Sequence, residues 1–369
     1  GLALVVAGTG ALKTNITSIV GHALAGDDLR RDAGFSYFYM AINVGAVVGP
    51  LATGLTQSLA GFHVGFGLAA VGMVVALVVY LTSMRTLPER ASVVANPIER
   101  RRLVVPAVGV AVVAALVAIA VATRVVNEVN LVGIVTGVAV LAAGAYFALM
   151  LSSRTITRDE RRRVLGYLPL FIVSGIYFGF LFQKFTAISI LIDERVDRML
   201  GEWEFPVAWV TTASPLAAVL ITPLVARLWD RLGERQPSQA AKVGIGLAQI
   251  GVAYLVLLLI AETTGEASLP LVLILLFMAI AGSSEVFVGP IGLSMASRIG
   301  PARLQSQMVG LNFLTLALGS SLSGLLGQLF TVLPNGVYFA IVAAGGIVLG
   351  VGILAASGRL DRLLRSGLE

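Results

Sequence analysis

Cysteine is absent from the 369 residues, so disulfides, thiolate nucleophiles and sulfur-ligated metal sites are all excluded. Histidine is nearly as scarce. His22 and His63 stand far apart, form no ligand pair, and sit near the ends of apolar segments without a nucleophile beside them. The sequence therefore supports no enzyme, no bound metal and no cofactor. Charge is also in short supply: charged residues make up 12% of the chain, against roughly 25% in a soluble domain. Even the one apparent nucleotide signal fails. "GTGALKTNITS" (8–18) suggests a phosphate loop, but Leu12 stands where that motif needs glycine and no strand precedes it.

What fills the chain instead is apolar, at 57% of residues. Apolar runs recur near 2–25, 33–60, 63–84, 103–123, 131–151, 164–192, 207–229, 243–261, 269–297, 305–333 and 336–356. Each is long enough to cross roughly 30 Å of hydrocarbon as a helix. Strands of a barrel would alternate in polarity, whereas "VVPAVGVAVVAALVAIAVA" (104–122) is apolar all round. The expected fold class is all-α, a polytopic membrane protein.

The connecting segments sort onto two sides. One receives the arginine tracts at 100–102 and 161–163 and most other basic residues; the other receives only Arg124, Arg195 and Arg198. Basic loops face the cytoplasm, which places the C-terminus there and Gly1 outside. The net charge of +6 is then a topology signal, and no nucleic-acid partner is implied. Gly1 opens directly in apolar sequence with neither a basic flank nor a cleavage site, so the chain is expected to begin partway through a longer protein. Trp203, Trp209 and Trp229 flank one span as interfacial anchors. Two polar connectors, 87–102 and 152–163, bracket a Val- and Ala-rich hairpin that reads as a lipid-facing insertion.

Three ionisable residues fall inside the spans: Lys13, Lys184 and Glu285. Each costs about 2.5–3.5 kcal/mol at the bilayer centre, so a cavity or a partner is expected for it. A buried pair holding helices together is the structural alternative. Glu285 lies in "AGSSEVFVGPIGLS" (281–294), where Pro290 cannot bond the Val286 carbonyl and three glycines loosen the turn. Interrupted helices near the midplane mark binding sites in carriers, and this one suits a cation or a proton. Tyr39 and Asn43, four apart in "FSYFYMAINVGAVVGP" (35–50), share a helix face; they either line a polar cavity or bond neighbouring helices. Lys13 and Thr17 share a face likewise. The Gly346–Gly350 pair is read as a packing contact.

"GTGALKTNITSIVG" followed by "RRDAGFSYFYMAINVGA" resembles the proton-dependent oligopeptide transporter family of the major facilitator superfamily. "DERVDRMLGEWEFP", "DRLGER" and "EVFVGPIGLSMASRIGP" extend the resemblance along the chain. It implies two helical bundles that alternate access, with residues 1–86 holding core spans four to six of the N-terminal bundle. Residues 87–163 would be the connectors and an inserted hairpin, and 164–369 the C-terminal six-helix bundle. It implies proton-coupled symport of di- and tripeptides across the cell membrane by a monomer, with protons as the coupling ion and no other cofactor. Lys13, Tyr39, Asn43 and Glu285 would bind the peptide, with Glu285 and Lys13 also placed to couple protons. Gln183, Lys184 and Asn312 would line the cavity. The family motif is altered in "FGFLFQK" (178–184), where Gln183 occupies a glutamate position and Lys184 a glutamine position. Ala213, Asn312 and Gly289 also depart from it, replacing an asparagine, a tryptophan and a serine. A different zwitterionic or peptide-like cargo is one alternative; a non-transporting remnant is another.

Overall fold

The computed structural model describes residues 2–23, 28–86, 104–127, 130–154, 156–265, 268–301 and 304–367. The polar connector at 87–102 lies outside the described residues. Among the described residues, each of the eleven apolar runs is mainly helical. Helices α1 (Leu2–Ala23), α2 (Asp28–Ala60) and α3 (Phe62–Ser83) come first, followed by α4 (Val104–Ala122) and α5 (Leu131–Ser152). The rest of the chain comprises α6 (Arg158–Leu181), α7 (Ala187–Arg195), α8 (Val207–Leu232) and α9 (Gln239–Thr264). It ends with α10 (Leu271–Ser284), α11 (Gly289–Ile299), α12 (Gln305–Phe330) and α13 (Asn335–Leu364). Among the described residues, nine segments are long and apolar enough to span a membrane; two of them, 158–195 and 271–299, each combine two helices.

Local chemistry sets the ends and the breaks. Thr157 and Glu160 form a capping box at the start of α6, with Glu160 Oε2 accepting from Thr157 N at 2.7 Å. Ser238 caps α9 by accepting from Ala241 N. The 158–195 column tightens to a 3₁₀ turn at Phe182–Phe185, and the 271–299 column does so at Glu285–Phe287. Pro290 then opens α11 at a position where its missing N–H costs nothing. Both breaks hold an ionisable side chain. Short pairings outside the helices were not anticipated: β1 (Val196–Asp197) runs parallel to β4 (Leu269–Pro270), and β2 (Met199–Leu200) pairs with β3 (Trp203–Glu204). Gly201 turns that hairpin at φ 68°, which only glycine adopts freely.

Small residues set the closest helix contacts. Gly346 backs onto Gly251, where an added Cβ would lie 2.6 Å from the Gly251 Cα, and Gly350 backs onto Ala248. The Gly346–Gly350 pair is thus a packing seam between α9 and α13. The core runs through α6, α9, α10, α11 and α13. Outside it, α3 exposes long apolar side chains along its length, Val74, Val75 and Leu77 among them, as a hydrocarbon solvent requires. Trp229 departs from the expected interfacial placement. It is 5% exposed and packed under the Lys242 ammonium.

Candidate functional site

Glu285 is 7% exposed and sits in the 3₁₀ turn between α10 and α11. That turn exists because Val288 N bonds the Glu285 carbonyl at 3.1 Å, after which the chain restarts its helix at Gly289 and Pro290. The Tyr39 hydroxyl, delivered by α2, donates to Glu285 Oε1 at 2.9 Å. Gly289 permits this approach: a Cβ there would lie 2.7 Å from the Tyr39 hydroxyl oxygen and closer still to the ring. Its place in a family pattern that favours serine is thereby explained sterically. Glu285 Oε2 is buried with no hydrogen-bond partner among the described residues. The Tyr177 hydroxyl lies 2.8 Å from the hydroxyl of Ser284, the residue next to Glu285.

Lys184 occupies the other helix break. It is 7% exposed, and its Nζ donates to Ser214 Oγ at 3.1 Å. Ser214 can approach because its backbone lies directly against Gly282 of α10. No direct ion pair joins Lys184 and Glu285 among the described residues. A buried carboxylate with one oxygen uncommitted can accept a proton or an ammonium. A buried ammonium with one acceptor can take an anion.

The remaining expected residues point elsewhere. Asn43 donates to the Tyr39 carbonyl of its own helix at 3.2 Å. Gln183 is wholly committed: its Nε2 donates to the Gly179 and Ser323 carbonyls, and its Oε1 accepts from Tyr338 and Thr186. Asn312 accepts from Tyr167 at 2.8 Å. The Lys13 side chain is exposed, with no hydrogen bond or ion pair among the described residues, and Thr17 bonds the Lys13 carbonyl. The structure therefore gathers Tyr39, Glu285, Tyr177, Lys184 and Ser214, but joins neither Lys13 nor Asn43 to Glu285.

A second polar cluster escaped the sequence reading. Lys242, counted with the basic residues of the cytoplasmic connecting segments, lies in the second turn of α9 and is 1% exposed. It donates to Asp32 Oδ2 on α2 at 3.0 Å and to Gln236 Oε1 at 2.7 Å, and stands 4.6 Å above the Trp229 ring. Asp32 Oδ1 accepts from Ser294 at 2.5 Å and Gln239 at 3.1 Å. The signal was available: Ser238 as an N-cap already puts Lys242 inside a helix. Among the described residues no group of three His, Cys, Asp or Glu could hold a metal.

Residues 1–341 match the family model described as "PTR2: POT family". The chain is 34% identical over its whole length to the uncharacterized transporter YclF of Bacillus subtilis, covering 75% of that protein. It is 32% identical over 96% of its length to a di-/tripeptide transporter of Lactococcus lactis, covering 73% of it. A solved peptide transporter POT in complex with sulfate superposes with TM-score 0.79 at 32% identity, over 98% of this chain and 74% of that one. A POT family transporter in complex with 5-aminolevulinic acid gives TM-score 0.77 at 29% identity, over 94% and 73%.

Proposed function

The chain belongs to the POT family of major facilitator-like membrane transporters, and from that membership we propose that it carries di- and tripeptides by proton-coupled symport. Transport proceeds by alternating access of two bodies, residues 1–86 and 164–369, with 87–163 as connectors and an inserted hairpin. The protein works as a monomer in the cell membrane with its C-terminus cytoplasmic, in line with the arginine-rich loops on that side.

One observation carries the reading: Glu285 Oε2 is buried, aimed at no donor among the described residues, while Tyr39 from the other body holds Oε1. Such an oxygen is unstable alone and favourable once an ammonium or a proton reaches it. A peptide amino group satisfies it on the loaded carrier; a proton satisfies it on the empty return. Tyr39 makes occupancy of Glu285 felt across the two bodies. Lys13 lies on α1 and Asn43 on α2; Asn43 is already buried beside Tyr39, and Lys13 joins the peptide only after a rearrangement that turns it inward. Lys184 completes the wall, and Gln183 and Asn312 brace it from behind through hydrogen bonds to Ser323, Tyr338 and Tyr167.

A different zwitterionic cargo is favoured by Lys184, a cation beside the site where the family pattern has a neutral amide. The test is accumulation of labelled di-alanine in proteoliposomes under an inward proton gradient, with a panel of unlabelled competitors. Accumulation that collapses with the gradient supports peptide symport. Equal accumulation with and without the gradient rejects coupling. No gradient-driven accumulation of labelled di-alanine, with labelled 5-aminolevulinic acid accumulating in its place, selects the second cargo.

A further inference from the structure

The arginines that open α6 and those that close α13 come together at one end of the bundle, just beyond the apolar runs 164–192 and 336–356. The meeting is direct. Leu363 of α13 packs over Gly166 of α6, where an added Cβ would lie 2.8 Å from the Leu363 Cβ, and Gly367 backs onto Asp159. Two of the arginines are spent on structure. Buried Arg163 donates to the carbonyls of Ile299 at 3.2 Å and Ser366 at 2.6 Å, and Arg162 pairs with Asp159 at 3.6 Å. By pinning Ser366 and Gly367 these contacts fix one wall of a cleft of about 400 Å³, which Asp361, Arg362 and Arg365 complete.

The arginines of the cleft itself are not spent. Arg362 uses only Nε, on the Gly358 carbonyl of its own helix, and Arg365 has no side-chain partner among the described residues. Their remaining N–H groups form the forks that bind phosphate oxygens in pairs. Setting the orientation of a membrane protein needs a number of cations on one side, not a shared cavity between two helices. Two features choose the ligand. Two arginines against one aspartate leave the lining at a net single positive charge, which matches the single charge of a phosphodiester. Leu363 and Leu165, the sequence neighbours of Arg362 and Gly166, stay 38% and 46% exposed and offer apolar surface alongside.

We infer that this cleft binds the headgroup phosphate of an anionic phospholipid, with Arg362 and Arg365 on the phosphate and the acyl chains against Leu165 and Leu363. Basic pockets between spanning helices suit such headgroups. The inference is independent of the cargo and of which leaflet the cleft meets.

The experiment is native mass spectrometry of the full chain in detergent with equal amounts of phosphatidylglycerol and phosphatidylcholine. Each arginine at a membrane surface is worth about 5-fold, so the first bound lipid in the wild type is expected to favour phosphatidylglycerol by about 25-fold. Arg362→Gln/Arg365→Gln brings the ratio to about one. Arg365→Gln alone breaks no contact in the fold and lowers it about 5-fold, so the test holds even where the double variant does not fold. Arg231→Gln/Arg235→Gln, at the connection between α8 and α9, leaves it unchanged. A preference that survives the loss of Arg362 and Arg365, or that falls equally in Arg231→Gln/Arg235→Gln, overturns the site in favour of a diffuse surface charge. Millimolar inorganic phosphate is expected to leave the phosphatidylglycerol bound; its release would overturn the lipid assignment in favour of a soluble anion.

Discussion

Asp32→Asn isolates the interaction that joins α2 to α9 and α11. In the structure Asp32 is the anion for Lys242, a side chain 1% exposed, and accepts from Ser294 and Gln239 as well. Neutralising it strands the Lys242 ammonium in an interior where only Gln236 and the Trp229 face remain. Removing one partner of a buried pair costs about 3–5 kcal/mol, so the closed arrangement loses roughly two to three and a half powers of ten in population. Under the proposed division into two bodies, that loss falls on the end of the carrier closed by this cluster. The assay uses a single reporter cysteine in a chain that has none: Ser36→Cys, one turn beyond Asp32 and 1% exposed. The maleimide labelling rate of Ser36→Cys follows the open population. It is expected to rise by about 100-fold or more when Asp32→Asn is added, and to fall back when Lys242→Met removes the stranded charge as well. An unchanged rate in Asp32→Asn/Ser36→Cys refutes the reasoning, since the ion pair would then contribute nothing to closure.

Four further outcomes follow from named contacts. Tyr39→Phe removes the donor to Glu285 Oε1 and lowers di-alanine uptake by about 10-fold or more with the folded fraction retained, read by transport and size-exclusion profile. Gly289→Ala pushes the Tyr39 ring off Glu285 and reproduces that loss, whereas Gly310→Ala, where an added Cβ meets nothing within 4 Å, leaves uptake unchanged. Gln183→Glu, although it restores the usual family residue, places a carboxylate against the Gly179 and Ser323 carbonyls; a fall in melting temperature of several degrees is expected by thermal unfolding in detergent. Gly346→Val wedges the α9–α13 seam, where an added Cβ already lies 2.6 Å from the Gly251 Cα, and lowers the same melting temperature by a comparable amount.

The helices were legible because a bilayer demands that every spanning backbone satisfy itself, and runs such as 104–122 carry no competing signal. Pro290 announced the break beside Glu285 for an equally local reason, the missing N–H. The 3₁₀ turn at Phe182–Phe185 had no such marker; no proline or glycine stands in it, and Thr186 closes it by bonding the Gln183 carbonyl and side chain. Lys242 was misplaced because counting basic residues as loop markers is a rule about insertion. It does not register a cation that α2 later neutralises with Asp32. Gln183 and Asn312 were grouped with the cavity as polar residues in apolar helices, yet their hydrogen-bond partners come from helices more than a hundred residues away in sequence. Only the resemblance put Tyr39 and Glu285 in one cavity; nothing local in the sequence announced a direct bond between them. Their meeting across 246 residues is a property of the fold, and Gly289 shows its reason only once the Tyr39 ring is seen beside it.

The central claim is that the uncommitted Glu285 oxygen receives the proton or the ammonium in each cycle. Proton-gradient-driven accumulation of labelled di-alanine by Glu285→Gln, in proteoliposomes matched for protein content, tests it most directly. The account predicts that accumulation falls to the level of protein-free vesicles; accumulation equal to that of the wild type would contradict it.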